Sequence, residues 1–385
     1  MFKALLENEW MKFRRRRRVA WTAVGIVVAV GLLSVLSYRA NSPSMARAFA
    51  VSHYHYPVNR HLDPVTQAGN RFFNWEETYN NALALHRPLP SLRRGLVLAE
   101  AWHRAEQANP GPNPVPEVRG ALQTVLQLRF AIAHHLEFQP ERATGIMSGA
   151  LLVQSVFSTT SVLVVALLVL FVAGDGLAME TASGTWNSLW ADPVPRRTVV
   201  LAKLVWMAIL VVGVTAVTTG LLWLVGDLLY GTAPLWPVAE AHWSLYPVHS
   251  QSVSTYYMTI IRRVSDLHFQ SMRSAALQGA ALAVVPLLAV TSVATLLGLL
   301  LPSGVGSGLA AVVFAAGPVL ATTGNVHTTW FGALPGLYLP MGAVETGVGI
   351  NPSMLLTWTT GLAVAAIWAA VAWAAIGVQA YRKEW

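Results

Sequence analysis

Histidine is the residue type in this chain with the clearest capacity to bind a metal ion. The chain has eleven His; His53, His55 and His61 are close in sequence, and His134 and His135 are adjacent. Imidazole is a ligand for zinc and copper, so these residues could hold either ion. However, the chain has no His-Glu-x-x-His motif, and His53-x-His55 has the spacing of a strand rather than a helix. We therefore expect surface histidines and no metal site.

The sequence excludes three further kinds of chemistry. An intramembrane aspartyl protease needs two carboxylates at one depth, but Asp175 and Asp227 end apolar segments at opposite faces of the predicted membrane. The chain also lacks the Gly-x4-Gly-Lys-Ser/Thr motif, so it cannot hydrolyse a nucleotide through a P-loop. With no Cys it has no thiolate chemistry. We predict that the chain is not an enzyme and holds no cofactor of its own.

The composition is that of a membrane protein. Of 385 residues, 54% are hydrophobic and 11% charged, whereas soluble domains carry about 25% charged residues. Six apolar stretches are long enough to cross the hydrocarbon core, and a spanning backbone without water must be helical. They are residues 19–38, 146–173, 204–226, 274–301, 305–323 and 352–378. The predicted fold is an all-α, multi-pass membrane protein with six transmembrane helices.

The basic residues predict the orientation. Seven Lys and Arg precede the first span, and the positive-inside rule places them in the cytoplasm. Six spans then return the C-terminus to the same side. The predicted organisation is a cytoplasmic amphipathic helix and basic run (1–18), the first span (19–38), a mostly helical external domain (39–145), and the remaining five spans (146–385) with a cytoplasmic loop at 174–203.

Three segments outside the spans have readable patterns. Phe2, Leu5, Leu6, Glu9 and Phe13 recur at helical spacing, which predicts an interfacial amphipathic helix. In the external domain, residues 92–108 and 117–137 are strong helix formers separated by a Pro- and Gly-rich breaker. Residues 330–344 could re-enter the membrane before the last span, provided that protein shields their irregular backbone.

The cytoplasmic loop carries the most informative motif. It contains an acidic residue, Glu180, then Ser-Gly184-Thr185, a short segment rich in Leu and Trp, Pro193-Val-Pro-Arg196, and Lys203 before the next span. This pattern resembles the first cytoplasmic loop of ABC transporter permeases of the type-2 exporter family. Six spans with both ends inside, and a basic amphipathic N-terminal helix, are also similar to that family.

The resemblance implies that this loop carries a coupling helix, which docks on a separate ATPase subunit. The matching residues are Glu180, Gly184, Thr185, Pro193 and Arg196. Independently, Trp186, Leu189 and Trp190 have the i, i+3, i+4 spacing of one apolar helix face. The alternative is an interfacial helix that anchors the loop to the membrane through its Trp residues.

The resemblance also implies that spans two and five line a transport path. Span two has a polar patch that includes Gln154, Ser155, Ser158 and Thr159. Small polar residues are also common in ordinary helix packing within membranes, so both interpretations stay open.

The resulting expectation is the permease subunit of a type-2 ABC exporter in a prokaryotic plasma membrane. Its partners would be an ABC ATPase that binds ATP and Mg, a second permease copy or paralogue, and the lipid bilayer, with no nucleic acid. The alternatives are a non-transporting membrane sensor whose external domain binds a ligand, and an intramembrane enzyme that uses the external His residues. The sequence does not indicate the substrate.

Overall fold

A computed structural model gives the fold of the chain. It describes residues 2–15, 18–40, 55–59, 61–84, 87–109, 120–133, 135, 148–174, 195–230, 237–250, 255–301, 308–319, 333–341 and 358–382. Within these ranges the α-helices are α1 (Phe2–Arg15), α2 (Arg18–Ala40), α3 (Pro64–Ala84), α4 (Leu92–Ala108), α5 (Gly120–Ala133), α6 (Gly149–Ser158), α7 (Val162–Val169), α8 (Arg196–Tyr230), α9 (Met272–Leu300) and α10 (Trp358–Arg382). The chain divides into two compact units.

The first unit comprises Met1–Ser34, Val153–Leu224 and Ala276–Trp385 and holds most of the apolar helical residues. In the described ranges, three continuous helices have the length and composition to cross a membrane: Arg196–Leu229, Met272–Leu300 and Trp358–Gln379. The count rises to five if α1 with α2, and α6 with α7, are each taken as one bent span. A multi-pass helical protein is thus confirmed, whereas six spans and the orientation of the termini stay predictions.

The predicted fifth span, residues 305–323, is described only at 308–319. Its central part, Ala310–Ala316, is π-helical. A second π-helical turn, Leu170–Gly174, continues α7 toward the cytoplasmic loop of the sequence analysis. Single π turns of this kind occur frequently at functional positions in helices. In this chain they fall in spans two and five of the prediction.

Residues 333–341 form an irregular segment that protein surrounds, as the sequence analysis requires of a re-entrant backbone. Leu334 to Leu339 are buried, and Pro335–Tyr338 makes one 3-10 turn. Gly336 lies directly on the Phe314 carbonyl, where a Cβ would collide with backbone. The Trp368 Nε1–H donates to the Ala333 carbonyl at 2.6 Å. The turn is therefore held by two neighbouring helical segments.

The second unit comprises Val35–Leu152 and Val225–Ala275. Helices α3, α4 and α5 pack there as a three-helix bundle, and the helices predicted at 92–108 and within 117–137 are present. The buried core consists of Phe72, Trp75, Tyr79, Ala99, Val125 and Leu128. Because the three aromatic residues recur at i, i+3 and i+7, they form one face of α3. An exposed ion pair, Arg129 to Glu100 at 2.8 Å, joins α5 to α4.

The structure contains a β-hairpin, which the predicted all-α fold class does not include. Strands β1 (Pro237–Ser250) and β2 (Thr255–Ser271) pair antiparallel, from Pro237 opposite Ser271 to Ser250 opposite Thr255. The register shifts between Glu240 and His242, which marks a bulge. β2 begins with a run of Thr, Tyr and Ile, residue types that favour strands, and this local signal accounts for a hairpin in a loop to which the sequence analysis assigns no element.

Candidate functional site

A charged contact joins the N-terminal helix to the start of α8. The Lys203 Nζ lies 2.9 Å from the Glu9 Oε1, and the Lys12 Nζ lies 3.2 Å from the same oxygen. The side chain of Lys203 is only 6% exposed and that of Glu9 14% exposed. Protein shields this ion pair from water, so screening by salt is weak and the attraction between the charges is strong.

Aromatic rings pack beside the ion pair. The Trp206 ring lies 6.1 Å, centroid to centroid, from Trp10 and 6.1 Å from Phe13, in edge-on geometry with both. Trp10 and Phe13 stack with their centroids 6.2 Å apart. Edge-to-face rings gain roughly 0.5–1.5 kcal/mol per pair beyond the buried area. We call these six residues the α1–α8 junction: Glu9, Trp10, Lys12, Phe13, Lys203 and Trp206.

Helical spacing explains why these residues meet. On α1, Glu9 and Phe13 are four residues apart, so they lie on the same face. On α8, Lys203 and Trp206 are three residues apart and also share a face. One turn of each helix therefore supplies one charged and one aromatic group to the other. The amphipathic pattern of residues 2–13 predicts helix α1. It does not predict the ion pair, because Lys203 lies 194 residues from Glu9 in sequence.

The junction lies close in sequence to the predicted coupling loop. Arg196, the last predicted coupling residue, is exposed at the first position of α8, and Lys203 follows two turns later. The other predicted coupling residues lie outside the described ranges: Glu180, Gly184, Thr185, Trp186, Leu189, Trp190 and Pro193. Sequence reasoning notes Lys203 only as part of the loop motif and does not predict its contact with Glu9.

The predicted path residues lie at a break in the second apolar segment. Helices α6 and α7 are bent by 77° relative to each other at the break. Gln154 is buried, Ser155 and Ser158 are half-buried and Thr159 is exposed. The Thr159 hydroxyl donates to the Ser155 carbonyl at 2.8 Å, and the Ser161 N–H donates to the Thr159 Oγ1 at 3.2 Å.

Hydroxyl groups at the break satisfy backbone groups that the interrupted helix leaves without intrahelical partners. The structure brings Ser155 and Thr159 together through the hydrogen bond between them. Sequence reasoning finds these residues but not the break. The available signal is the run of four hydroxyl residues, Ser158 to Ser161, because Ser and Thr compete with the helix for backbone hydrogen bonds.

The histidine segments are described in part. His55, His61 and His135 lie within the described ranges, whereas His53 and His134 do not. In the described part of the chain, no three His, Asp or Glu side chains are grouped closely enough to hold a metal ion. His135 has a positive φ of 53° just after the end of α5, a conformation that a helix end often requires.

Comparison with known families agrees with the loop motif. A protein-family model described as ABC-2 family transporter protein matches residues 121–261. The resemblance to ABC-2 permeases is confirmed. The matched residues run from α5 through the loop predicted to be cytoplasmic and α8 into the hairpin, so they include Lys203 and Trp206 of the junction. No curated protein and no solved structure matches the chain significantly.

The match supports an ABC-2 type permease, and members of that family are generally transport subunits of the membrane rather than enzymes. The apolar helices are consistent with this assignment. The matched region is just over a third of the chain. It includes only α5 of the three-helix bundle, so the family match does not explain the bundle as a whole.

Proposed function

We propose that this chain is the transmembrane permease subunit of a type-2 ABC exporter in a prokaryotic plasma membrane. A separate ATPase subunit binds ATP and Mg and hydrolyses the nucleotide. A second permease, either another copy or a paralogue, completes the path. The ABC-2 family match and the apolar helices support the transport class. The seven basic residues before the first span support cytoplasmic termini.

The α1–α8 junction is the observation that carries the proposed mechanism. A coupling helix in the 174–203 loop would receive the movement of the ATPase. Helix α8 begins at the end of that loop, and a continuous helix moves as a rigid element. The shielded ion pair and the edge-on aromatic contacts then make α1 follow α8. ATP-driven movement of one loop is thereby passed to two membrane-associated helices.

The break between α6 and α7 is the proposed polar part of the path. Its exposed Thr159 and half-buried Ser155 and Ser158 provide hydroxyl groups in an otherwise apolar segment. Hydroxyl groups both donate and accept hydrogen bonds, so they suit a polar substrate without selecting a charge. A bent segment also leaves room for movement at this point.

A membrane sensor with a ligand-binding external domain is the alternative. The three-helix bundle favours it, since the bundle lies largely outside the family match. The two functions differ in one requirement. A permease of this class needs an ATPase seated on the loop, whereas the sensor does not.

The test truncates the predicted apolar face of the coupling helix. Interface anchors commonly cost about 2 kcal/mol or more when truncated to Ala, which is roughly a thirtyfold loss of affinity. Trp190→Ala should therefore reduce recovery of the ATPase with the purified permease, or uncouple hydrolysis from transport. Glu180→Ala should impair coupling more than binding, because an exposed carboxylate near a helix N-terminus is worth roughly 0.3–1 kcal/mol.

The matched control is Gln107→Ala, an exposed position in the three-helix bundle. Membrane insertion of all three variants is checked by their recovery in the detergent extract. If Trp190→Ala matches the control in both ATPase recovery and stimulated hydrolysis, the loop is not the coupling element.

A further inference from the structure

A short extended segment lies along one face of helix α3. It consists of residues 55–59 and is called the strap. Pro57, Val58 and Asn59 are exposed and Tyr56 is half-buried. Three amide side chains of α3 contact its backbone: Gln67, Asn70 and Asn74. These three side chains are called the amide ladder.

The ladder holds the backbone of the strap through side-chain hydrogen bonds. Tyr56 donates its N–H to the Asn74 Oδ1 at 2.8 Å and accepts from the Asn74 Nδ2 at 3.0 Å. One side-chain amide thus satisfies both backbone polar groups of one residue, the pattern of a hydrogen-bonded antiparallel pair. The Asn70 Nδ2 then donates to the Pro57 carbonyl at 2.7 Å, and the Gln67 Nε2 to the Asn59 carbonyl at 3.4 Å.

The spacing of the ladder matches the rise of an extended chain. From Asn74 back to Gln67 a helix covers about 10.5 Å at 1.5 Å per residue. From Tyr56 to Asn59 an extended chain covers about 10 Å at 3.3 Å per residue. The strap and α3 therefore run in opposite directions with matched lengths. Proline at position 57 favours the extended conformation of its neighbour Tyr56.

The ladder contacts backbone atoms, so it imposes little demand on the sequence of its occupant. The exception is Tyr56, whose ring lies 5.3 Å from Phe73, centroid to centroid. Phe73 in turn packs edge-on against Trp102 at 5.2 Å. Main-chain hydrogen bonds with one side-chain pocket are the features of β-strand addition as a peptide-recognition mode. The face suits an extended peptide with one aromatic residue.

The strap lies at the surface, and among its residues only Tyr56 is half-buried. Residues 57–59 are exposed, and the hydrogen bonds from Gln67 and Asn70 to the strap also lie at the surface. Segments with few buried contacts open at low free-energy cost. An incoming peptide could therefore take the place of the strap.

We propose that the amide ladder and Phe73 form a binding site for an extended peptide segment with an aromatic residue, which the chain's own strap occupies in the absence of that peptide. The site lies in the bundle and does not depend on coupling to an ATPase. An aromatic residue of the peptide takes the position of Tyr56, and its backbone bonds to Asn74 in the same two-point manner.

The first test measures binding of a fluorescein-labelled peptide with the sequence of residues 55–62 to the purified full chain, by fluorescence anisotropy. A tethered strap competes at an effective concentration near the millimolar range. Tyr56→Ala removes the ring of the strap and leaves the ladder intact. This variant should bind the peptide at least tenfold more tightly than the unaltered chain. Lack of saturable binding to Tyr56→Ala would overturn the proposal.

The second test removes one amide of the ladder, Asn74, and compares the loss of peptide affinity with that caused by removing an amide elsewhere. Adding Asn74→Ala to Tyr56→Ala should weaken peptide binding at least tenfold. Adding Gln107→Ala, an exposed amide on α4, should leave the affinity unchanged. Equal affinity in both double variants would mean that the peptide binds elsewhere.

A change in the peptide separates recognition from misfolding of the variants. Methylation of the tyrosine nitrogen removes the donor to the Asn74 Oδ1, so it should weaken binding to Tyr56→Ala about as much as Asn74→Ala does. Methylation of the valine nitrogen, which bonds to none of the three ladder amides, should have a small effect. A peptide methylated at tyrosine that binds as well as the unmodified peptide would contradict two-point recognition.

Discussion

The α1–α8 junction and the three-helix bundle both rest on aromatic packing, but they use it differently. In the junction, rings from α1 and α8 pack against each other, and the same two helices share an ion pair whose members are far apart in sequence. In the bundle, Phe72, Trp75 and Tyr79 come from one helix and pack against Trp102 and against small and aliphatic residues of the next two helices. The junction thus joins two helices that are distant in sequence through a shielded ion pair. The bundle is instead an apolar core formed by three helices that are close in sequence.

The difference indicates what each region can do. A shielded ion pair depends strongly on geometry, because separating the charges in a dry environment costs several kcal/mol. We therefore expect it to pass movement from one helix to the other. An apolar core resists deformation and transmits no directional signal. We expect changes at the junction to alter coupling, and changes in the core to alter only the stability of the bundle.

The largest expected effect comes from removing Glu9 at the junction. Glu9→Ala takes away the carboxylate that lies 2.9 Å from the Lys203 Nζ, and breaking a buried pair costs about 3–5 kcal/mol. The free energy of unfolding, measured by SDS titration of the purified chain, should fall accordingly. ATPase stimulation should fall with it.

Glu7→Ala is the matched control on the same helix. Glu7 pairs with Lys3 at 3.8 Å, and both side chains are well exposed. Exposed helix pairs contribute about 0.3–0.5 kcal/mol, so this variant should be near neutral. If Glu7→Ala and Glu9→Ala lowered the free energy of unfolding equally, the shielded ion pair would contribute no more to stability than the exposed one.

A smaller effect is expected from Gly95→Ala in the bundle. A Cβ at Gly95 would overlap the Trp75 indole ring, and overpacking of a core costs about 1–3 kcal/mol. Thermal unfolding of the bundle should shift downward while ATPase recovery stays unchanged. Gly213→Ala is the control, because a Cβ there meets no atom within 4 Å. Loss of ATPase recovery in Gly95→Ala would show that the bundle and the coupling function are not separable.

The smallest expected effect is the pH dependence of the bundle. Asp63 caps α3, and hydrogen bonds from the Thr66 hydroxyl and then from the Thr66 N–H lower the pKa of its carboxyl. Because the pKa is lower in the folded state, the ionised cap stabilises the fold above the unfolded pKa. That contribution is lost as the pH falls through the folded pKa.

Asp63→Asn tests this pH dependence, because Asn also caps helices but does not ionise. The difference in melting temperature between the unaltered chain and Asp63→Asn should be largest near neutral pH. It should shrink in acid. A difference that stays constant from pH 7 to pH 3 would exclude the carboxylate as the source.

The parts of the fold that local patterns encode could be predicted. Runs of about 20 apolar residues identify membrane helices because the bilayer requires that length, and the spacing of Phe2 to Phe13 identifies α1. The helix at Leu92–Ala108 has the predicted bounds. Within residues 333–341, Leu334 to Leu339 and Met341 are buried by protein, as shielding of an irregular backbone demands.

Contacts that depend on tertiary structure could not be predicted. The choice of Lys203 as the partner of Glu9 depends on how two distant helices pack. Helix α3 escapes prediction because its aromatic and Asn residues have low helix propensity, which the shared core overrides. The 77° bend between α6 and α7 follows from competition for backbone hydrogen bonds that hydrophobicity does not register.

Purification of the native complex tests whether this chain works with a separate ATPase, as proposed. The chain is tagged at one terminus, extracted from its own membrane in mild detergent and analysed by mass spectrometry. We predict that an ABC ATPase subunit with a P-loop is recovered in stoichiometric amount, and that Trp190→Ala reduces its recovery while Gln107→Ala does not. Recovery of the intact permease without any ABC ATPase would contradict the account.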